Sequence, residues 1–234
     1  MKTFLPLFLA LLVLASTQTY TAPLPCSGGT YAITIDDAPG PDTTKVLAAL
    51  KAAKLKATFF LVGANVQAYP ALAQQIVAEG HEVANHSWSH PDMSTLTQTQ
   101  IDTELVMAND IIFQTTGVHP VYFRPPYGAS NQLVVNRASA AGLTHMWWSI
   151  DTEDYTGITA AAIVHQTSLA QNGGVILYHN WVQNLPSAIQ QMAAYWNQFA
   201  TTNPICAGRL SPTTNLMPVH DWFGQLSYVH AIPW

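Results

Sequence analysis

From Tyr31 onward, short apolar runs rich in β-forming residues alternate with segments of helical periodicity, and this alternation constrains the fold more than any other feature. The apolar runs fall at 31–35, 58–62, 82–85, 122–124, 144–150 and 175–179. Helical patterns fall between and after them, at 43–54, 71–79, 98–116, 132–141, 158–169 and 185–200. In the longest of these, Ile101, Leu105, Ala108 and Ile112 share one face, and Gly117 supplies the stop. Strands alternating with helices build βαβ units and a parallel sheet, so the chain is α/β. The run of such units favours a barrel over an open sheet. No internal repeat or linker interrupts it. Residues 23–234 are expected to form a single domain, with 207–234, which carry little pattern, as an irregular tail.

The N-terminus reads as a targeting segment. Lys2 precedes an apolar run over 4–15, and small and polar residues follow to Ala22. A run of about a dozen apolar residues is too short for a bilayer, which needs ~20. Residues 1–22 are therefore read as a secretory signal peptide, with cleavage between Ala15 and Ala22, and the protein is expected to be secreted and extracellular. No later stretch reaches membrane-spanning length and the C-terminus lacks an apolar anchor signal, so no membrane anchor is expected. The two cysteines, Cys26 and Cys206, are expected to pair in that oxidising compartment. Such a disulfide closes a loop of about 180 residues, worth ~4–5 kcal/mol in the chain-entropy model.

Composition narrows the partners. Hydrophobic residues make up 49% and charged residues 9%, with a net charge of −5. That balance excludes disorder, which needs low hydrophobicity and high charge. With 8 basic residues against 13 acidic ones, nucleic-acid binding has no electrostatic footing. A surface of Ser, Thr, Asn, Gln and Ala suits an uncharged partner such as a polysaccharide. A monomer is the default expectation.

The few charges gather at the C-terminal ends of the expected strands, where parallel α/β folds place their active sites. There stand Asp36 and Asp37, His86 with His90, Arg124, Asp151 with Asp154, and His179. The segment His-Ser-Trp-Ser-His at 86–90 is the clearest metal signal, since two imidazoles four residues apart can face one point on a helix or tight turn. Asp36 and Asp37 are the available third ligands, and a His₂-Asp set suits Zn²⁺ or another borderline ion. His81 and His86 resemble a zincin pair but stand one residue too far apart. Asn85-His86-Ser87 is also a glycosylation sequon. A glycan would clash with a metal site, so Asn85 is expected to be unmodified.

These residues carry a resemblance. The chain from about Thr30 to Cys206 resembles the polysaccharide deacetylases of carbohydrate esterase family 4, which share the NodB homology domain, and among them secreted chitin deacetylases. Five motifs stand in the family's order: Thr34-Ile35-Asp36-Asp37-Ala38-Pro39, His86 to His90, Arg124-Pro125-Pro126-Tyr127-Gly128, Asp151-Thr152-Glu153-Asp154-Tyr155, and Leu177-Tyr178-His179. The resemblance implies a distorted (β/α) barrel and a divalent metal, Zn²⁺ first and Co²⁺ as an option. It makes Asp37, His86 and His90 the metal ligands and Asp36 the general base, held by Arg124. It gives Tyr127 an oxyanion-binding backbone N–H, and it makes His179 the general acid, oriented and raised in pKa by Asp154. The implied reaction is removal of acetyl groups from an acetylated polysaccharide or oligosaccharide. Chitin or chitooligosaccharide is the first expectation and acetyl-xylan the next. The alternative is a weakly active or inactive homologue acting as a chitin-binding module.

Three positions depart from the family pattern. Ala38 stands where the motif has Gly, and strain is expected if that position needs a positive φ. Tyr155 stands where the family has Trp, and Asn180 where it often has Asp. Tyr127, Tyr155 and Trp181 are expected to contact sugar, while Trp88, Trp147 and Trp148 are read as core. His119, His145, His165, His220 and His230 lack a motif context.

Overall fold

The computed structural model describes residues 30–197 and 206–210. The signal segment, Cys26 and the tail from 211, including His220 and His230, lie outside the described residues. Eight strands and seven helices follow in order: β1 (Thr30–Ala38), α1 (Thr43–Ala53), β2 (Thr58–Leu61), α2 (Gly63–Ala68), α3 (Pro70–Ala78), β3 (Glu82–Asn85), α4 (Gln98–Thr116), β4 (Tyr122–Phe123), α5 (Gln132–Ala140), β5 (Thr144–His145), β6 (Ile150–Asp151), α6 (Ala160–Ser168), β7 (Gly174–His179), α7 (Leu185–Asn197) and β8 (Cys206–Gly208). The strands pair in parallel in the order β5-β4-β3-β2-β1-β7-β6, with β8 alongside the first residues of β1.

That order forces curvature. β5 and β6 lie at opposite ends of the path, yet only residues 146–149 separate them in sequence. Five Cα steps span at most about 17 Å, so the two edges must face each other. The linking segment bridges them: Met146 N–H donates to Phe123 O (2.7 Å) and Ser149 N–H to Val175 O (2.8 Å). The result is the expected distorted (β/α) barrel, with a gap in its wall between β5 and β6. The stretch 144–150, read from sequence as one aromatic-rich strand, is therefore two short strands on opposite edges.

Side chains alternate across the strands. Ile33, Ile35, Phe59, Leu61, Val83, Ile176 and Tyr178 pack outward against Val46, Leu47, Leu50, Ile76, Ile112, Ile163 and Ile189 of the helices. Ala32, Phe60, Ala84, Tyr122, Met146, Val175 and Leu210 fill the interior. Full burial of each large aliphatic or aromatic side chain contributes roughly 1.5–3 kcal/mol. Helix α4 has the sharpest ends. Thr97 and Gln100 form a reciprocal capping box, and Gly117 closes the helix at φ 75.

Two elements escaped the sequence pattern. Helix α2 is only six residues long. Strand β8 is short and takes up residues 207 and 208, which were read as the start of an irregular tail. Its Cys206 lies in register with Thr30, and Leu210 N–H donates to Thr58 Oγ1 (2.8 Å), which ties this segment to the barrel.

Candidate active site

The site begins with a backbone irregularity. Along the β1–β2 ladder, Ile35 pairs with Phe59 and Ala38 with Leu61, so β1 carries one extra residue between them. That bulge falls on Asp36 and Asp37. In a regular strand two adjacent side chains point to opposite faces; here the bulge and a φ of 67° at Asp37 turn both carboxylates to one place. Asp36 Oδ2 lies 3.7 Å and Asp37 Oδ1 3.5 Å from His86 Nε2. The positive φ thus belongs to Asp37 and not to Ala38, which is buried in β1 without that strain. Asn65 Nδ2 donates to Asp37 O (3.2 Å) and fixes the turn.

His86 follows β3, and His90 closes a tight turn rather than a helical one, with positive φ at Ser87 (65°) and His90 (61°). Glu104 on α4 accepts from the N–H groups of Trp88 and Ser89 (2.8 Å each) and from Ser89 Oγ (2.7 Å). Ser87 Oγ accepts from His90 N–H (3.0 Å). His86 Nδ1 donates to Arg124 O (2.7 Å), leaving Nε2 as the atom free to bind a metal. His90 Nε2 lies 3.0 Å from Asp37 Oδ1.

These three groups pass a test for a metal. One ligand atom from each of Asp37, His86 and His90 lies within 4.8 Å of the others. Asp37 Oδ1 is buried yet has no hydrogen-bond partner, an arrangement costly unless a cation completes it. Two imidazole nitrogens and one carboxylate oxygen suit zinc and its neighbours. In the metal-free protein, burial alone would raise the Asp37 carboxyl, but the closely approaching imidazoles of His86 and His90 and their charge hold it far below the usual carboxylate range. Burial likewise opposes charge on His86, and Asp36 and Asp37 outweigh it, raising its pKa.

Arg124 is completely buried inside the barrel. It donates to Asp36 Oδ1 (2.7 Å), Thr34 Oγ1 (2.9 Å), Trp147 O (3.0 Å) and Met146 O (3.4 Å). Its guanidinium sits 4.1 Å over the Phe60 ring. It therefore holds Asp36 while tying β4 to the segment that closes the wall. The following turn places Tyr127 at φ 59, 62% exposed, with its ring 4.6 Å from that of His90. Gly128 continues the turn at φ 65, where a Cβ would approach Trp148 to 2.9 Å and Trp147 to 3.0 Å.

On the other side, Asp154 accepts from both the backbone N–H and Nδ1 of His179 (2.8 Å each). Burial pulls the His179 pKa down, but the Asp154 hydrogen bond and charge, helped by Asp36 and Asp37, raise it above the ordinary imidazole value. Asp151 Oδ1 accepts from Glu153 N–H (2.9 Å) and shapes this turn. The Tyr155 and Trp181 rings flank His179 at 5.3 and 5.8 Å. Asn180, buried, binds Thr43 Oγ1 (3.0 Å) through its side chain and Asp36 O (2.9 Å) through its N–H. Its amide therefore has a full structural place.

Asp36, Asp37, His86, His90, Arg124, Tyr127, Asp154, Tyr155, His179 and Trp181 thus converge on one rim. His81 does not; it sits at the opposite end of β3, about 16 Å along the strand from His86, with Nδ1 accepting from Ala57 N–H (3.1 Å). Asn85 is fully buried, its Nδ2 donating to Leu105 O (3.0 Å) and Asn109 Oδ1 (2.8 Å), so the folded chain offers no glycan acceptor there. Trp88, Trp147 and Trp148 are half-buried, between core and rim. Glu104, Asn65 and Thr34 support the site but were not picked out from sequence. None of the three carried a distinct signal, since even Glu104 shares its helix with Asp102 and Asp110.

Comparison with known proteins gives a consistent family. The family model described as polysaccharide deacetylase matches residues 25–146. The bifunctional xylanase/xylan deacetylase of Cellvibrio japonicus is 37% identical over 81% of this chain and 28% of its own length. The peptidoglycan-N-acetylglucosamine deacetylase PgdA of Listeria monocytogenes is 31% identical over 76% of this chain and 39% of its own. The chitin deacetylase of Amylomyces rouxii is 34% identical over 68% and 43%. The chain thus spans less than half the length of these three curated relatives. The family 4 carbohydrate esterase from Streptomyces lividans, solved with acetate, superposes with a TM-score of 0.75 at 36% identity, covering 80% of this chain and 95% of that one.

Proposed function

The chain belongs to the polysaccharide deacetylase family, and from that premise we propose that it is a secreted, metal-dependent hydrolase that removes acetyl groups from a polysaccharide. Chitin and chitooligosaccharides are the proposed substrates, acetyl-xylan the next. The observation that carries this reading is the unpaired Asp37 Oδ1, ringed by two imidazoles and flanked by Asp36 on one side and the His179–Asp154 pair on the other.

Asp37, His86 and His90 would hold the ion, Zn²⁺ or alternatively Co²⁺, and when bound it supplies Lewis-acid polarisation of water and the acetyl carbonyl. Asp36, gripped by Arg124 through Oδ1, turns Oδ2 toward the site and takes a proton from the attacking water. The new C–O bond forms as the carbonyl electrons move onto oxygen, and the Tyr127 N–H donates to that oxygen. His179, with Nδ1 committed to Asp154, gives its Nε2 proton to the departing nitrogen or oxygen. The carbon–heteroatom bond breaks, releasing acetate and a free amine or hydroxyl. The exposed rings of Tyr127, Tyr155 and Trp181 form the walls against which sugar rings stack. The chain works as a single-domain monomer after cleavage of its signal segment between Ala15 and Ala22, with Cys26 and Cys206 joined.

Acetate release from chitin oligomers and acetylated xylan, measured in parallel, tests the reading, and the favoured polymer names the substrate. Release from neither, by a folded protein holding one metal ion, would instead support the chitin-binding alternative or another acetylated polymer as substrate.

A further inference from the structure

The sequence placed Trp181 in the groove as a sugar-stacking residue, but its polar atom is already committed. Its indole Nε1–H donates to Asp37 Oδ2 (2.8 Å), while Asp37 Oδ1 faces His86 and His90. The two oxygens of one carboxylate thus have separate duties. The loop bearing Trp181 is itself held in place. Asn180 N–H donates to Asp36 O (2.9 Å) and Val182 N–H to His179 O (3.2 Å). Gln183 Nε2 donates to Asp42 Oδ2 (2.8 Å) at the start of α1 and reaches Trp181 O (3.4 Å). Trp181 remains 47% exposed, so burial of its ring does not account for this bracing.

We infer that Trp181 is a positioning residue for the metal site: its indole N–H holds Asp37 Oδ2 so that Oδ1 is the single oxygen presented to the ion. The inference rests on the metal reading above and adds to it a ligand-orienting partner supplied by the loop after β7. Groups that orient a metal ligand typically change affinity by about 10–100-fold when removed. Because Asp37 stands directly beside Asp36 on β1, the same hydrogen bond sets the spacing between the ion and the proposed base. One residue would then serve two ends, with its N–H turned to the ligand and its open face turned to sugar.

The test is Trp181→Phe, which keeps an aromatic ring and deletes the donor. Zinc affinity is read by competition with a chromophoric chelator, and kcat and KM for an acetylated oligosaccharide are measured at saturating zinc. The expected result is a loss of zinc affinity of about tenfold or more, larger than any change in KM at saturating zinc, since the aromatic ring is kept. Unchanged zinc affinity with a raised KM would overturn the inference and leave Trp181 as a stacking residue only. If the wild-type protein itself binds no zinc, the metal reading falls, and this inference with it. A measurement on the wild-type protein guards against a misfolded variant. In zinc-loaded protein labelled at tryptophan, the Trp181 Nε1–H should exchange slowly with solvent, and fast exchange would count against the hydrogen bond.

Discussion

The two ends of the barrel both hide titratable groups, and they do so in opposite ways. At the N-terminal end of the strands, His81 is pushed down to about 4 by burial, with Lys56 adding to it. Glu82 is pushed up to about 7 by burial, and Tyr122 up to about 12 by burial and the neighbouring Glu82. At the C-terminal end burial still drives Arg124 and His145 down and Asp151 up, but at three groups specific partners overrule it: Asp37 goes down against burial, and His86 and His179 go up against it. The lesson is that a displaced pKa does not mark a site. A group shifted by burial alone is being kept neutral, whereas a group shifted against burial is being kept charged by neighbours aimed at it. Only the second end collects such groups around an unpaired oxygen.

The comparison can be broken most severely at Arg124. Arg124→Ala leaves Asp36 buried and unpaired, and a loss of about 3–5 kcal/mol in stability is expected together with loss of turnover; chemical denaturation and acetate release check it. Next come the reacting groups. Asp36→Asn and His179→Ala should each lower kcat on the order of 10²–10⁴-fold while retaining metal, whereas His86→Ala should lose the metal as well, by elemental analysis. Unchanged metal content in His86→Ala would break the ligand assignment.

A milder change sharpens the account of the proposed acid. In that role His179 must be protonated, so turnover is expected to fall as pH rises through its raised folded value. Asp154→Asn removes the charge and one of the two acceptor oxygens that hold His179, so the alkaline limb of the kcat profile should move to lower pH. An unmoved limb would assign that limb to another group. The smallest effect lies at the other end. Glu82 binds its proton more tightly folded than unfolded, so its contribution to stability is present below the ordinary value of 4.5 and is lost as pH rises toward about 7. Glu82→Gln should therefore raise the melting temperature relative to wild type more at pH 7.5 than at pH 5, with acetate release unaffected.

Much of this rim was legible because chemistry-bearing residues were rare and sat at the ends of apolar runs. The βα alternation followed from periodicity, which favours a barrel without fixing its closure; the distorted barrel came with the family resemblance. What stayed hidden were features of backbone and edge. The extra residue that lets Asp36 and Asp37 face one way is a register property of β1 against β2, invisible in a single strand's sequence. The positive φ was sought at Ala38 because glycine usually marks it, but the chain places it on Asp37. Residues 144–150 look like one strand because every residue suits a strand; only the sheet order divides them. Strand β8, Cys-Ala-Gly, forms by pairing its backbone with β1 and has no apolar run to announce it. Trp181 read as a stacking surface because sequence displays the ring but not what the N–H meets.

The claim that the C-terminal rim is a metal-dependent deacetylase is tested most directly by stripping the protein with chelator and restoring it with Zn²⁺ or Co²⁺ while following acetate release from an acetylated oligosaccharide. The account predicts that release disappears on stripping and returns with the metal. Release that survives removal of the metal, verified by elemental analysis, would contradict it.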